Sequence, residues 1–165
     1  MPEGESKWYV MHVRPRCEKK LAEHCAAERI EHYLPLREET KIYQRRRVTV
    51  QKPLFPRYVF AAFGPEQRVA LLRSNNIVRL LDVVDQKRLL DELAQVRSAL
   101  AVDPTLNACE AFEKGRRVRI EGGPFEGLEG IVQNVKGGTR VVLNVEMIGQ
   151  AVAVEVDMEL LEPAE

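Results

Sequence analysis

Residues 7–14 of the chain, KWYVMHVR, are rich in aromatic and β-branched side chains and predict a strand, which Pro15 closes. From 16 to 31 the period changes: Ala22, Ala26 and Ile30 recur four apart, flanked by Leu21 and Cys25 with charges between, as an amphipathic helix requires. Residues 33–36 are extended, and 40–43 with 47–50 have the pattern of hairpin arms around a tip at 44–46. The run Pro53-Leu54-Phe55-Pro56 interrupts the chain before a further strand at 57–63, RYVFAAF. A short helix over 65–73 carries Pro65 in its first turn. An apolar strand follows at 77–84. The helix predicted over 86–100 puts Leu89, Leu93, Val96 and Leu100 on one stripe. This order of elements implies an α+β fold, an α/β sandwich with a largely antiparallel sheet.

Around Asp103-Pro104 the periodicity fades, and residues 101–113 are expected to form a linker. Beyond it glycines at 122, 123, 127, 130, 137, 138 and 149 punctuate short β-branched runs. Strands at 117–120, 128–135, 140–146 and 150–156 predict a small SH3-like β-barrel. The expected organisation is therefore a domain over 1–100, a linker over 101–113 and a barrel over 114–165. Gly122, Gly123, Gly127, Gly130, Gly137 and Gly138 would each cost about 1 kcal/mol inside a helix and Pro124 about 3, so the barrel should not refold into helices. It is expected to hang on its linker, leaving the first domain's sheet open.

Charge sharpens this division. Residues 1–100 hold 19 Lys and Arg against 13 Asp and Glu, a net +6, whereas the remainder holds 6 against 12, a net −6. A basic half joined to an acidic one implies two units with different partners, one of them near nucleic acid. No apolar run approaches the ~20 residues a membrane helix needs, and the acidic start has no signal-peptide core. Cys17, Cys25 and Cys109 form no C-x-x-C pair, and beside His24 they offer no fourth metal ligand at suitable spacing. The expected compartment is the cytoplasm, with neither metal nor cofactor. His12, His24 and His32 have no nucleophile partner, no Walker lysine follows a glycine loop, and Glu38-Glu39 sit on a loop. An enzyme is not expected.

Two features ask for a partner. Alternation on the 57–63 strand puts Tyr58, Phe60 and Ala62 on one face and Val59, Ala61 and Phe63 on the other; Trp8, Val10 and His12 likewise oppose Tyr9, Met11 and Val13. A sheet with helices on one face only would alternate apolar with polar. Both faces here are apolar, which leaves open an intramolecular cover or a docking surface for another protein. The second feature is the stretch from Thr40 to Phe60. It holds Lys41, Arg45, Arg46, Arg47, Lys52 and Arg57 without an acid, interleaved with Tyr43 and Phe55. It is either a solvated tip or a phosphate-contacting loop, with Arg45, Arg46 and Arg47 the candidate contacts.

These same residues resemble the NusG family. Trp8-Tyr9-Val10 is similar to the opening of its N-terminal domain, and Pro53-Leu54-Phe55-Pro56-Arg57-Tyr58-Val59-Phe60 to that domain's most recognisable segment. The second half carries a KOW motif in Val118-Arg119-Ile120, Gly123-Pro124-Phe125-Glu126-Gly127 and Gly130-Ile131-Val132. Leu-Phe-Pro-Arg-Tyr, with Arg57 where housekeeping members carry glycine, is closer to specialised RfaH-like paralogs. The resemblance implies a transcription elongation and antitermination factor that binds the clamp helices of bacterial RNA polymerase and suppresses pausing. It implies clamp contacts at His12, Tyr58 and Phe60, and a barrel contact at Met147-Ile148 that recruits termination factor Rho or a small-subunit ribosomal protein. A monomer at the nucleoid through polymerase, with a DNA contact in the elongation complex and no membrane association, is expected. A housekeeping factor coupling polymerase to Rho or the ribosome is the alternative, and a ribosome-associated RNA-binding KOW protein a further one.

Overall fold

The computed structural model describes residues 6–164. In chain order the elements are β1 (Lys7–Val13), α1 (Glu18–Ala27), β2 (Glu31–Tyr33), β3 (Leu36–Tyr43), β4 (Arg46–Pro53) and β5 (Tyr58–Phe63). Then come α2 (Pro65–Arg73), β6 (Ile77–Asp82), α3 (Gln86–Val102), β7 (Ala108–Glu110), β8 (Arg117–Ile120) and β9 (Glu129–Val135). The chain finishes with β10 (Gly138–Val145), β11 (Gln150–Glu155) and β12 (Leu161–Pro163). Two compact units result. One runs up to Leu36 and takes in Pro53–Gln86; the other joins Arg37–Lys52 to everything from Lys87 onward.

The first unit is an antiparallel four-stranded sheet in the order β2-β5-β1-β6. Trp8, Val10 and His12 stand opposite Ala62, Phe60 and Tyr58, so period two places all six on one face. The other face sends Tyr9, Met11, Val13, Val59, Ala61 and Phe63 into one cluster with Leu21 and Cys25 of α1, Ile30, and Leu71 of α2. Tyr9 stacks on Phe63 with ring centroids 4.5 Å apart. Each Leu- or Phe-sized side chain taken from water there contributes about 1.5–3 kcal/mol.

Helix α1 is shorter than its apolar pattern predicts. Ile30 N–H donates to the Cys25 carbonyl (2.8 Å) and Arg29 N–H to that of Ala26 (3.1 Å), with Arg29 at φ 58°. That pair of bonds is a Schellman turn, which stops the helix even without a glycine. Leu21 and Cys25 face the core while Ala26 is exposed, because the larger apolar pair takes the inward stripe. Burial pushes the Cys25 thiol up to about 11, as befits a packing residue.

The second unit holds the β3–β4 hairpin, α3 from Lys87, and the small β-barrel domain. The barrel sheet is antiparallel in the order β12-β8-β9-β10-β11-β7. Val118, Ile120, Leu128, Val141, Leu143 and Val154 form its core, joined by Ala99 of α3. Leu100, expected on the buried stripe, is half-exposed and Ala99 is buried in its place. Its methyl side chain lets the barrel approach the helix closely. Strands β10 and β11 occupy the segment whose glycines and valines oppose a helix. Strands β7 and β12, three residues each, escape sequence reading because periodicity needs longer runs. β7 lies within the stretch read as linker and pairs with β11. No helix among the described residues is long and apolar enough to cross a membrane.

Candidate functional site

His12 and Tyr58 are register partners on β1 and β5, the two central strands of the first sheet. Their rings stack with centroids 5.3 Å apart at 22°, and both residues are half-buried. Burial, then the charges of Arg57 and Arg79, hold His12 below the ordinary imidazole value of 6.5. The ring is therefore neutral at pH 7. As pH falls below 6.5 the unfolded chain takes up a proton that the folded one resists, so this group lowers stability on the acid side. The pair offers a small aromatic platform with cations beside it.

Phe60, the third residue of the expected clamp surface, is fully buried, as is its register partner Val10. An open sheet face is thus corrected at these two positions; the pairs on either side of them, Trp8 with Ala62 and His12 with Tyr58, are half-buried. The reason is physical: two fully apolar side chains side by side on a central strand pair gain most by leaving water.

Arg57 precedes this end and has a φ of 74°, a left-handed conformation that a glycine would adopt without strain. Three contacts hold it there. Its N–H donates to the Glu18 carboxylate (2.7 Å), its Nε to the Val13 carbonyl (3.2 Å), and its own carbonyl accepts from Val13 N–H (2.9 Å). Glu18 is buried at the first position of α1, so its burial follows from capping this turn. That pairing of Glu18 with a backbone N–H 39 residues away left no signal in the sequence.

The β3–β4 hairpin turns on two residues, Gln44 (φ 50°) and Arg45 (φ 67°), both left-handed as a tight I′-type turn requires. Thr40 faces Thr49 across it, hydroxyl to hydroxyl at 3.3 Å. Arg45 caps the tip, and Arg46 and Arg47, successive on β4, point to opposite faces. All three are exposed, so the structure spreads the cations around the tip rather than into one patch. Ile42 and Tyr43 are exposed beside them. Phe55, expected to interleave with the arginines, is fully buried and cannot. Nor is the basic stretch free of acids in space: Glu39, one residue outside it, lies 3.5 Å from Lys41 and 2.6 Å from Lys52. The Lys52 ammonium, foremost, holds the Glu39 carboxyl below its usual range.

On the barrel, Gly123 and Gly127 have φ of 81° and 95° in the β8–β9 connection, where Gly127 N–H donates to the Ile120 carbonyl (2.8 Å). Pro124 is exposed at the top of this turn, and Phe125 packs against the barrel core. Gly130 lies in β9 with its backbone against that of β10. Met147 and Ile148 belong to a 3-10 turn, Glu146–Ile148, that ends at Gly149 (φ 65°); both are half-buried. Among the described residues no group of His, Cys, Asp and Glu is placed to hold a metal ion, and the three cysteines are free.

Residues 6–98, more than half of the chain, match the family model described as "NusG: Transcription termination factor nusG". A curated relative, "Transcription termination/antitermination protein NusG" of Borreliella burgdorferi (strain ATCC 35210 / DSM 4680 / CIP 102532 / B31), is 38% identical over 52 residues. That alignment spans 31% of this chain and 28% of the relative's length. A solved structure, "Crystal Structure of MjSpt4:Spt5 complex conformation B", aligns over 96% of this chain and 97% of its own at 16% identity, with a TM-score of 0.31. At that score the structural likeness carries no argument.

Proposed function

This chain belongs to the NusG family, and from that premise we propose that it is a transcription elongation and antitermination factor whose first domain binds the clamp helices of RNA polymerase. The observation that carries the reading is the half-exposed His12–Tyr58 stack on the two central strands, at the positions that resemble the family's clamp contact. Aromatic side chains set in a partly buried frame are typical interface hot spots. Binding there would restrain clamp opening and suppress pausing. Arg57, where a glycine would be unstrained, supports a place nearer the RfaH-like specialised paralogs. The KOW barrel would recruit a second partner, Rho or a small-subunit ribosomal protein, through Met147-Ile148. The acidic charge of the second half favours such a protein partner over ribosomal RNA.

His12→Ala with Tyr58→Ala is expected to weaken polymerase binding by about 100-fold, the loss of two moderate hot spots. Co-purification of the full-length variant with polymerase measures this, with circular dichroism to confirm folding. A folded double variant that co-purifies like the native chain would place the docking surface elsewhere.

Arg45, Arg46 and Arg47 would grip the DNA backbone from both faces of the projecting hairpin, with exposed Tyr43 beside them. Changing all three to Ala should lower the slope of log affinity against log salt by about 2–3 in the elongation complex, one counterion per lost phosphate contact. An unchanged slope would leave the arginines as a solvated tip.

A further inference from the structure

The barrel carries two hollows away from the Met147–Ile148 turn. The first, about 460 Å³, is lined by Pro124 and Phe125 of the β8–β9 connection, by Gly138 opening β10, and by Glu155, Asp157 and Met158 where β11 ends. The second, also about 460 Å³, is lined in part by Leu106, Cys109, Arg140 and Ala153. Phe125 and Glu155 line both, so the two hollows are consecutive parts of one groove. Arg140 and Glu155 are register partners at one end of the β10–β11 pair, and Val145 and Gln150 flank the Met147–Ile148 turn at the other. The groove and that turn are separate surfaces.

The groove is apolar at its floor and acidic at its rim. Phe125, Leu106 and Val156 are half-buried and pack on the barrel core, a floor already formed. Pro124, Glu155, Asp157 and Met158 are exposed, Met158 at 62%. Glu155 and Asp157 make no ion pair among the described residues. Arg140 faces Glu155 in register but gives its Nε to Gln133 Oε1 (2.6 Å). Arg117 and Arg119 are paired with Glu129 and Glu121. Lys136 precedes Gly137 of the lining, one cation against the two rim carboxylates.

We propose that this groove is a second protein-docking site on the barrel, one that takes an extended segment with an aliphatic residue and a lysine or arginine two positions apart. Alternate side chains of an extended chain point to one face, about 6.5 Å from each other, so neighbouring hollows take residues i and i+2. The aliphatic side chain enters beside Leu106 and Ala153. The basic one lays its stem on Met158, an adaptable apolar surface, and brings its charged head to Glu155 and Asp157. The same carboxylates repel the phosphates of a nucleic acid.

The test is an NMR titration of the isotope-labelled full chain with a synthetic peptide that repeats leucine-serine-lysine-serine three times. Shifts should centre on residues 122–125, 137–139 and 153–158, and a peptide with glutamate for lysine should give none. Glu155→Gln with Asp157→Asn should weaken binding about tenfold, the loss of two exposed charge pairs, and remove most of its salt dependence. Gly138→Trp, where a Cβ meets nothing within 4 Å, should crowd the first hollow and abolish the shifts; if that variant unfolds, the exposed carboxylate pair still decides. No shift with up to about 1 mM lysine peptide, a concentration that detects even weak sites, would overturn the proposal. So would shifts centred on Met147 and Ile148, or equal affinity for the carboxylate variant. Oligouridylate moving the same resonances would overturn the choice of a protein segment over RNA.

Discussion

Gly130→Ala is expected to destabilise the barrel by about 3 kcal/mol or more, the upper end for forced overpacking. A methyl at this position would land on the Val142 carbonyl and come within 2.8 Å of Val141 Cγ1 and 3.1 Å of Leu143 Cδ2. Side chains can rotate away, but a carbonyl fixed in the β10 ladder cannot. Gly138→Ala is the control, since a methyl there meets nothing within 4 Å. Urea unfolding of the full chain, followed through barrel resonances, should show the first variant unfolding far earlier and the second close to native. Equal midpoints for the two would mean that β9 and β10 are not packed as described.

Phe60→Ala should cost about 3–5 kcal/mol, the range for truncating a buried Phe. Phe60 has no exposed surface and stands between Val10 on β1 and Tyr33 on β2. The same measurement reads this loss through resonances of the first sheet. A cost below about 1 kcal/mol, beneath the core-truncation range, with polymerase binding lost, would make Phe60 a contact residue instead. This distinction decides how docking is probed: a variant at Phe60 confounds folding with binding, whereas His12 and Tyr58 keep part of their surface in water.

The sequence carries the elements that long periods specify. β1 and β5 follow from dense runs of aromatic and β-branched residues, α3 from a heptad-like stripe, and the β10–β11 strands from valines between glycines. The double apolar face of the first sheet was legible as pattern, and it left the cover undecided. What it could not give were contacts between distant residues. Glu18 reads as an ordinary first-turn acid, yet it caps the backbone of Arg57. Glu39 reads as a solvated carboxylate, yet the hairpin brings Lys41 and Lys52 onto it. Phe55 looks like a partner for the arginines because it is near them in sequence; the turn at Pro56 sends it inward. Gln95 reads as a common helix-surface residue, yet its amide exchanges two hydrogen bonds with the backbone of Glu129 on β9.

The most direct test of the docking surface places a photo-crosslinking amino acid at Tyr58 in the full-length protein, bound to a purified elongation complex. Illumination should join it to the clamp helices of polymerase, with the yield lost when His12→Ala is added. A control probe at Glu66, exposed on α2, should capture clamp protein less. Clamp crosslinks from Glu66 and none from Tyr58 would contradict the assignment of the His12–Tyr58 face.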